Sequence, residues 1–193
     1  MFGREQLKYG KPTNFLTVVL NRNYVEMPLD NLLRELTFKT SSDIHYLDAN
    51  FPFFDGFPLL PHLSHNDGKK LDLSLVYETV EGVISDKQKS FSGYGVFEVP
   101  QTGEPDQISR CKDAGYFQYD YPKYLTFGSI NDDLRFSEKG TKSLIEEILR
   151  YKIIEKVFIE PHLKQRLRLD HPKIRYHGCG AVRHDDHIHI QIK

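Results

Sequence analysis

No stretch of this chain is apolar for long enough to cross a bilayer: its longest such run, Phe15-Leu-Thr-Val-Val-Leu20, falls far short of the roughly 20 residues a membrane helix needs. The first residues, Met-Phe-Gly-Arg, carry no apolar signal segment. Two settings fit that: a periplasmic or otherwise extracytoplasmic protein whose targeting segment has been removed, or a cytoplasmic one. Cysteine is scarce, with only Cys111 and Cys179. The pair is compatible with one bridge, and two free thiols are the simpler expectation for a reducing compartment. Neither sign of charge dominates, since 26 Lys and Arg face 27 Asp and Glu for a net charge of -1. A nucleic-acid surface would show a basic stripe, and the one basic tract, Lys164-Gln-Arg-Leu-Arg168, is short. It reads as the solvated face of a helix opened by Pro161. Internal repeats and low-complexity tracts are absent too, so the 193 residues read as one domain, with enough apolar content (39%) for a substantial core.

The order of elements predicts an α+β fold: a central antiparallel sheet, flanking helices and a long loop-and-hairpin insertion over residues 82–130. Phe15 to Leu20 reads as a strand. Leu29, Leu32, Leu33 and Leu36 recur at helical spacing and predict a helix from about Leu29 to Thr37. A second helix is signalled by Ser137 as N-cap and the stripe Leu144, Ile145, Ile148 and Leu149. A strand from Glu155 to Glu160 follows. Gly93, Gly95, Pro100, Gly103, Pro105 and Pro122 punctuate the insertion, which argues for hairpins and ordered loops. The insertion is also dense in Tyr and Phe, which serve equally as a groove wall or as sheet cover.

What the chain does have is histidine, nine residues in all, five of them gathered in two clusters. His62-Leu-Ser-His65 is followed by Asp72, and His184-Asp-Asp-His187-Ile-His189 comes more than a hundred positions later. Side chains alternate across a strand, so in His187-Ile-His-Ile-Gln-Ile192 the two histidines share one face and the isoleucines the other. Leu71-Asp-Leu-Ser-Leu-Val-Tyr77 repeats the pattern, with Asp72 and Ser74 on the polar face. If these strands pair, Asp72 and His189 lie side by side. The turn residues Asn66, Asp67 and Gly68 could return the chain so that His65 joins them. Two imidazoles and a carboxylate make a three-ligand zinc site with one position left for water. Desolvated polar groups on apolar strands are costly without a partner, and a metal supplies one. His45, His162, His171 and His177 read instead as satisfied surface or core groups. A ligand set using His177 and Cys179 is the less natural alternative, because Cys179 lies outside the alternating strand. The Phe- and Pro-rich segment Asn50–Pro58 is placed to hold the loop of the first cluster.

The motif His-x-x-His, six residues, Asp, closed by His-x-x-His-x-His resembles that of the penicillin-insensitive murein endopeptidases, within the zinc peptidase group that includes lysostaphin-type and D-Ala-D-Ala peptidases. Lys156-Val-Phe-Ile-Glu-Pro-His-Leu-Lys164 is similar to the stretch before the final cluster in those enzymes. By that resemblance His65, Asp72 and His189 match the zinc ligands, and His62, His184 and His187 match additional active-site histidines. It also implies the substrate, a peptide cross-link of bacterial peptidoglycan.

The ligand set itself predicts amide hydrolysis by metal-activated water. No glutamate stands in a His-Glu-x-x-His arrangement, so histidine takes the acid–base role. His187 is the first candidate for general base or oxyanion stabiliser and His184 the second, with Asp185 and Asp186 placed to orient their rings. Two other readings fit the same residues: a zinc amidase acting on a non-peptidoglycan substrate, and a binding module that holds metal without turnover. Retention of His184 and His187, unnecessary for merely holding zinc, counts against the second.

Overall fold

A computed structural model describes residues 3–40, 43–57, 59 and 64–193. In chain order the first half contains β1 (Arg4–Gln6), β2 (Lys11–Pro12), α1 (Phe15–Val19), β3 (Tyr24–Glu26), α2 (Met27–Lys39), β4 (His45–Asp48) and β5 (Lys70–Ser74). The second half contains β6 (Tyr77–Glu78), β7 (Ile84–Ser85), α3 (Gln107–Asp113), a 3-10 helix (Phe117–Leu125), β8 (Arg135–Phe136), α4 (Glu138–Leu149), β9 (Ile154–Phe158), α5 (Pro161–Arg166), β10 (Ile174–Arg175) and β11 (His187–Ile192). The class is α+β. Among the described residues no helix is long and apolar enough to cross a membrane.

The main sheet has the order β10-β9-β11-β5-β4-β2. Its middle is antiparallel, as expected, but both edges are parallel: β10 runs with β9, and β2 runs with β4. The sheet is therefore mixed. The short edge strands return through α5 on one side and from β3 and α2 on the other, a connectivity that leaves no mark on strand periodicity. Leu71, Leu73, Ile188, Ile190 and Ile192 all point to one face. There they meet Leu29, Leu32, Leu33 and Leu36 of α2 and Leu144, Ile145 and Ile148 of α4 in one contiguous core. Each such side chain contributes roughly 1.5–3 kcal/mol of burial free energy. Ser137 caps α4 as its sequence position suggests, its hydroxyl accepting from the Gly140 N–H at 3.2 Å.

Three expectations need correction. Phe15–Val19 is a helix rather than a strand: Asn14 caps it by accepting from the Thr17 N–H, and the Thr17 hydroxyl anchors it to the Leu47 carbonyl. Its apolar residues do not enter the core, since Phe15 and Val19 are 70% and 63% exposed. The segment 82–130 is more helical than hairpins and loops imply, because it carries α3 and the 3-10 helix, although β6 and β7 do form a hairpin. Finally, Cys111 and Cys179 are not free thiols. They form a disulfide that joins α3 to the loop after β10.

Candidate metal centre

The second face of the sheet carries the chemistry. β11 pairs with β5 in the register His189 opposite Asp72 and His187 opposite Ser74, so alternation puts Asp72, His187 and His189 on the face away from the leucine core. His65 reaches them from the loop before β5. That loop is tied down by the Gly56 N–H, which donates to the Asn66 carbonyl, and beside it Phe57 stacks on Phe51 with centroids 3.9 Å apart. The first of these contacts links the Phe-rich segment to the residue after His65. His62 lies outside the described residues.

Three atoms converge. His65 Nε2 is 3.1 Å from His189 Nδ1 and 3.2 Å from Asp72 Oδ1, and His189 Nδ1 is 2.8 Å from Asp72 Oδ1. Ligands at about 2.0–2.1 Å from a tetrahedral zinc would stand about 3.3 Å apart, so the triangle fits such an ion. The tautomers fit as well. His65 Nδ1–H donates to the Ala49 carbonyl at 2.8 Å, which leaves the Nε2 lone pair facing the triad. All three residues are buried, and desolvation depresses the His189 pKa to about 3 despite its Asp72 neighbour, which keeps that ring neutral and able to ligate. A second trio, Asp43, His45 and Asp86, also clusters, but it is partly exposed and Lys11 already pairs with Asp43. The alternative set using His177 and Cys179 is excluded by the disulfide.

Around the triad, sequence reasoning foresaw some groups and missed others. His187 is fully buried, and its Nδ1 bonds Asp186, whose other oxygen accepts from the Gly95 N–H at 2.6 Å. Asp186 thus orients His187, as anticipated. Burial pushes the His187 pKa down, but Asp72 and Asp186 outweigh it and lift it to about 8. His184 is 4.8 Å from His187 between ring centroids, and burial beside two other imidazoles pulls its pKa well down. Asp185 does not orient either ring. It takes a two-pronged contact from Arg183, which also bonds Asp120 of the 3-10 helix at 2.8 Å and lies 3.7 Å over the Phe97 ring.

Tyr94 was hidden among the aromatics of the insertion. Its hydroxyl donates to Asp72 Oδ2 at 2.7 Å and its ring stands edge-on to His187. Glu160 was equally unmarked: its Oε1 accepts from the His184 N–H at 3.0 Å and its Oε2 from the Tyr119 hydroxyl at 2.6 Å, tying insertion to cluster. His177, expected to be an ordinary surface or core group, stacks on His184. Only the serial Gly-Tyr-Gly of residues 93–95 could have hinted at Tyr94, since tight backbone beside a buried tyrosine marks a close approach. The sequence matches no family model, and no curated protein aligns with it significantly.

Proposed function

We propose that this chain is a zinc-dependent hydrolase of amide bonds, and that its substrate is a peptide cross-link of bacterial peptidoglycan. The observation that carries the first part is the buried triangle of His65, Asp72 and His189, whose ligand atoms stand 2.8–3.2 Å apart. Bound there, zinc would supply a nucleophile by acidifying water toward about pH 7 and would polarise the scissile carbonyl. The substrate class rests on the resemblance of the two histidine motifs to the murein endopeptidases.

His187 takes the acid–base role in this reading. Its Nδ1 is committed to Asp186, so Nε2, 3.8 Å from Asp72 Oδ2, is the atom on the triad side that exchanges a proton. A pKa of about 8 means that His187 is largely protonated at neutral pH beside two carboxylates. With a divalent cation in the triad, the added positive charge nearby would draw that value down toward the working range of a base. His184 stays neutral and borders the same space. The Arg183, Asp120 and Glu160 contacts keep the insertion closed over the cluster, which excludes water from the polar face. The Cys111–Cys179 bridge supports an extracytoplasmic setting, where such bonds persist.

The test is mass spectrometry of cross-linked muropeptide dimers after incubation with the zinc-loaded protein, with His189→Ala as control. Monomers formed only by the unmodified protein are the expected result and identify the bond cut. Intact dimers, with one zinc per chain verified, overturn the peptidoglycan assignment and move the reading to another amide.

A further inference from the structure

Among the described residues, His177 is the imidazole of the cluster that faces solvent. It lies in Tyr176-His-Gly-Cys-Gly180, just after β10. Its ring stacks on that of His184, with centroids 5.5 Å apart and planes 18° from parallel, and lies 4.6 Å from the Phe158 ring. His184, His187 and His189 are buried whereas His177 is exposed, so it forms the outer end of a column of rings leading to the triad. The backbone of His184 is fixed on both sides by Glu160, through N–H to Oε1 and through its carbonyl to the Glu160 N–H. Its side-chain direction is then set by the rings packed on it, of which His177 is the outermost.

The segment bearing His177 turns through two glycines. Gly178 has a φ of +95°, and at both Gly178 and Gly180 a side chain would meet open space. The insertion ties the segment down. Cys179 is bonded to Cys111 of α3, whose sulfur lies 3.0 Å from the Tyr176 hydroxyl, and the Gln118 amide donates to the Cys179 carbonyl at 3.4 Å. A covalent strap therefore ends two residues from a ring that braces the cluster.

We infer that His177 is a positioning residue of the site, held over His184 by the Cys111–Cys179 strap, and that it forms the lip against which the substrate chain lies. The part concerning turnover rests on the hydrolase reading above; the part concerning the strap does not. The discriminating measurement is the ring proton–carbon spectrum of the full chain, with the His184 signal assigned by its loss in His184→Asn. His177→Ala shifts that signal, and His177→Phe, which keeps a flat ring, restores most of it. Replacing both cysteines by serine shifts it as His177→Ala does, with no further change when the two are combined. Zinc content stays unchanged throughout. With muropeptide dimers as probe, His177→Ala and the double serine variant lose about tenfold in kcat/KM, mostly through KM, within the range typical of supporting residues around a metal site, and His177→Phe recovers it.

A His184 signal that ignores the loss of the bridge, or shifts that simply add, overturns the strap. A signal unmoved by His177→Ala overturns the positioning role. If the serine variant does not fold, the strap is tested on the folded native protein with a dithiol, which gives two electrons and two protons to the bridge and becomes its own disulfide. If no form turns over any dimer, the hydrolase reading fails while the spectra still decide the strap.

Discussion

Each histidine on the polar face has been given a different proton affinity by its neighbours, and that separates their roles. His189→Ala removes a corner of the triangle, so the variant should bind no zinc and show no turnover. His187→Ala should keep zinc and lose turnover by about 10²–10⁴-fold, the usual contribution of a positioned acid–base group. Zinc analysis beside kinetics checks both; loss of zinc from His187→Ala with normal activity after reloading would reverse the assignment. The same values give these rings' share of the pH dependence of the metal-free protein. His184 and His189 have folded pKa values below the ordinary 6.5, so the unfolded chain takes up their protons first, and stability is full above 6.5 and declines as pH falls toward about 3. His187 is raised, so its contribution is full below 6.5 and is lost as pH rises through about 8. Melts in the presence of a chelator should therefore show these rings' contribution greatest near pH 6.5, declining toward about 3 on the acid side and toward about 8 on the basic side. A melting temperature flat across that range would mean the rings titrate normally.

At the scale of elements, the two strands that build the site were the most legible part of the chain, because Leu71, Leu73, Ile188 and Ile190 alternate with Asp72, His187 and His189 and one register brings the two sets together. The N-cap of α4 was legible for the same local reason, and Ser137→Ala should cost about 1 kcal/mol in a denaturant titration. The helix at Phe15 was misread because Phe-Leu-Thr-Val-Val-Leu has strand composition, while its conformation is decided by the Asn14 cap and by an apolar face left in solvent. Which residues bury the polar face was not legible. The burial depends on Tyr94, Asp120 and Glu160 meeting residues 22 to 63 positions away, with no periodicity to announce them. A neighbouring contact, from the Gly95 N–H to Asp186, can be severed by a single methyl group. Gly95 has a φ of +81°, and a Cβ there would lie 2.4 Å from the Pro122 carbonyl. Gly95→Ala should displace its N–H from Asp186 and lower turnover about 10–100-fold with zinc retained; unchanged kinetics would show that Asp186 does not need this donor.

For the whole molecule, a metal held by the proposed triad would be coupled to the fold. The triad joins a loop, β5 and β11, so an ion that binds only the folded chain stabilises it by mass action, about 4 kcal/mol at a thousandfold excess over Kd. In a chain of this size that corresponds to a rise on the order of 10 °C in melting temperature. Scanning calorimetry with zinc added to chelated protein should show the rise in the native sequence and none in His189→Ala. The strand order has a further consequence, for synthesis. β11 occupies the centre of the main sheet, between β9 and β5, yet it follows both in the chain, and His189 is 117 residues beyond its partner Asp72. A ribosome emitting this protein exposes two unsatisfied sheet edges, one on each half, and neither can close until the strand between them emerges. Until then the nascent chain is a split sheet, vulnerable to pairing with other chains, and it is the arrival of the same six residues that seals the sheet and completes the candidate triad.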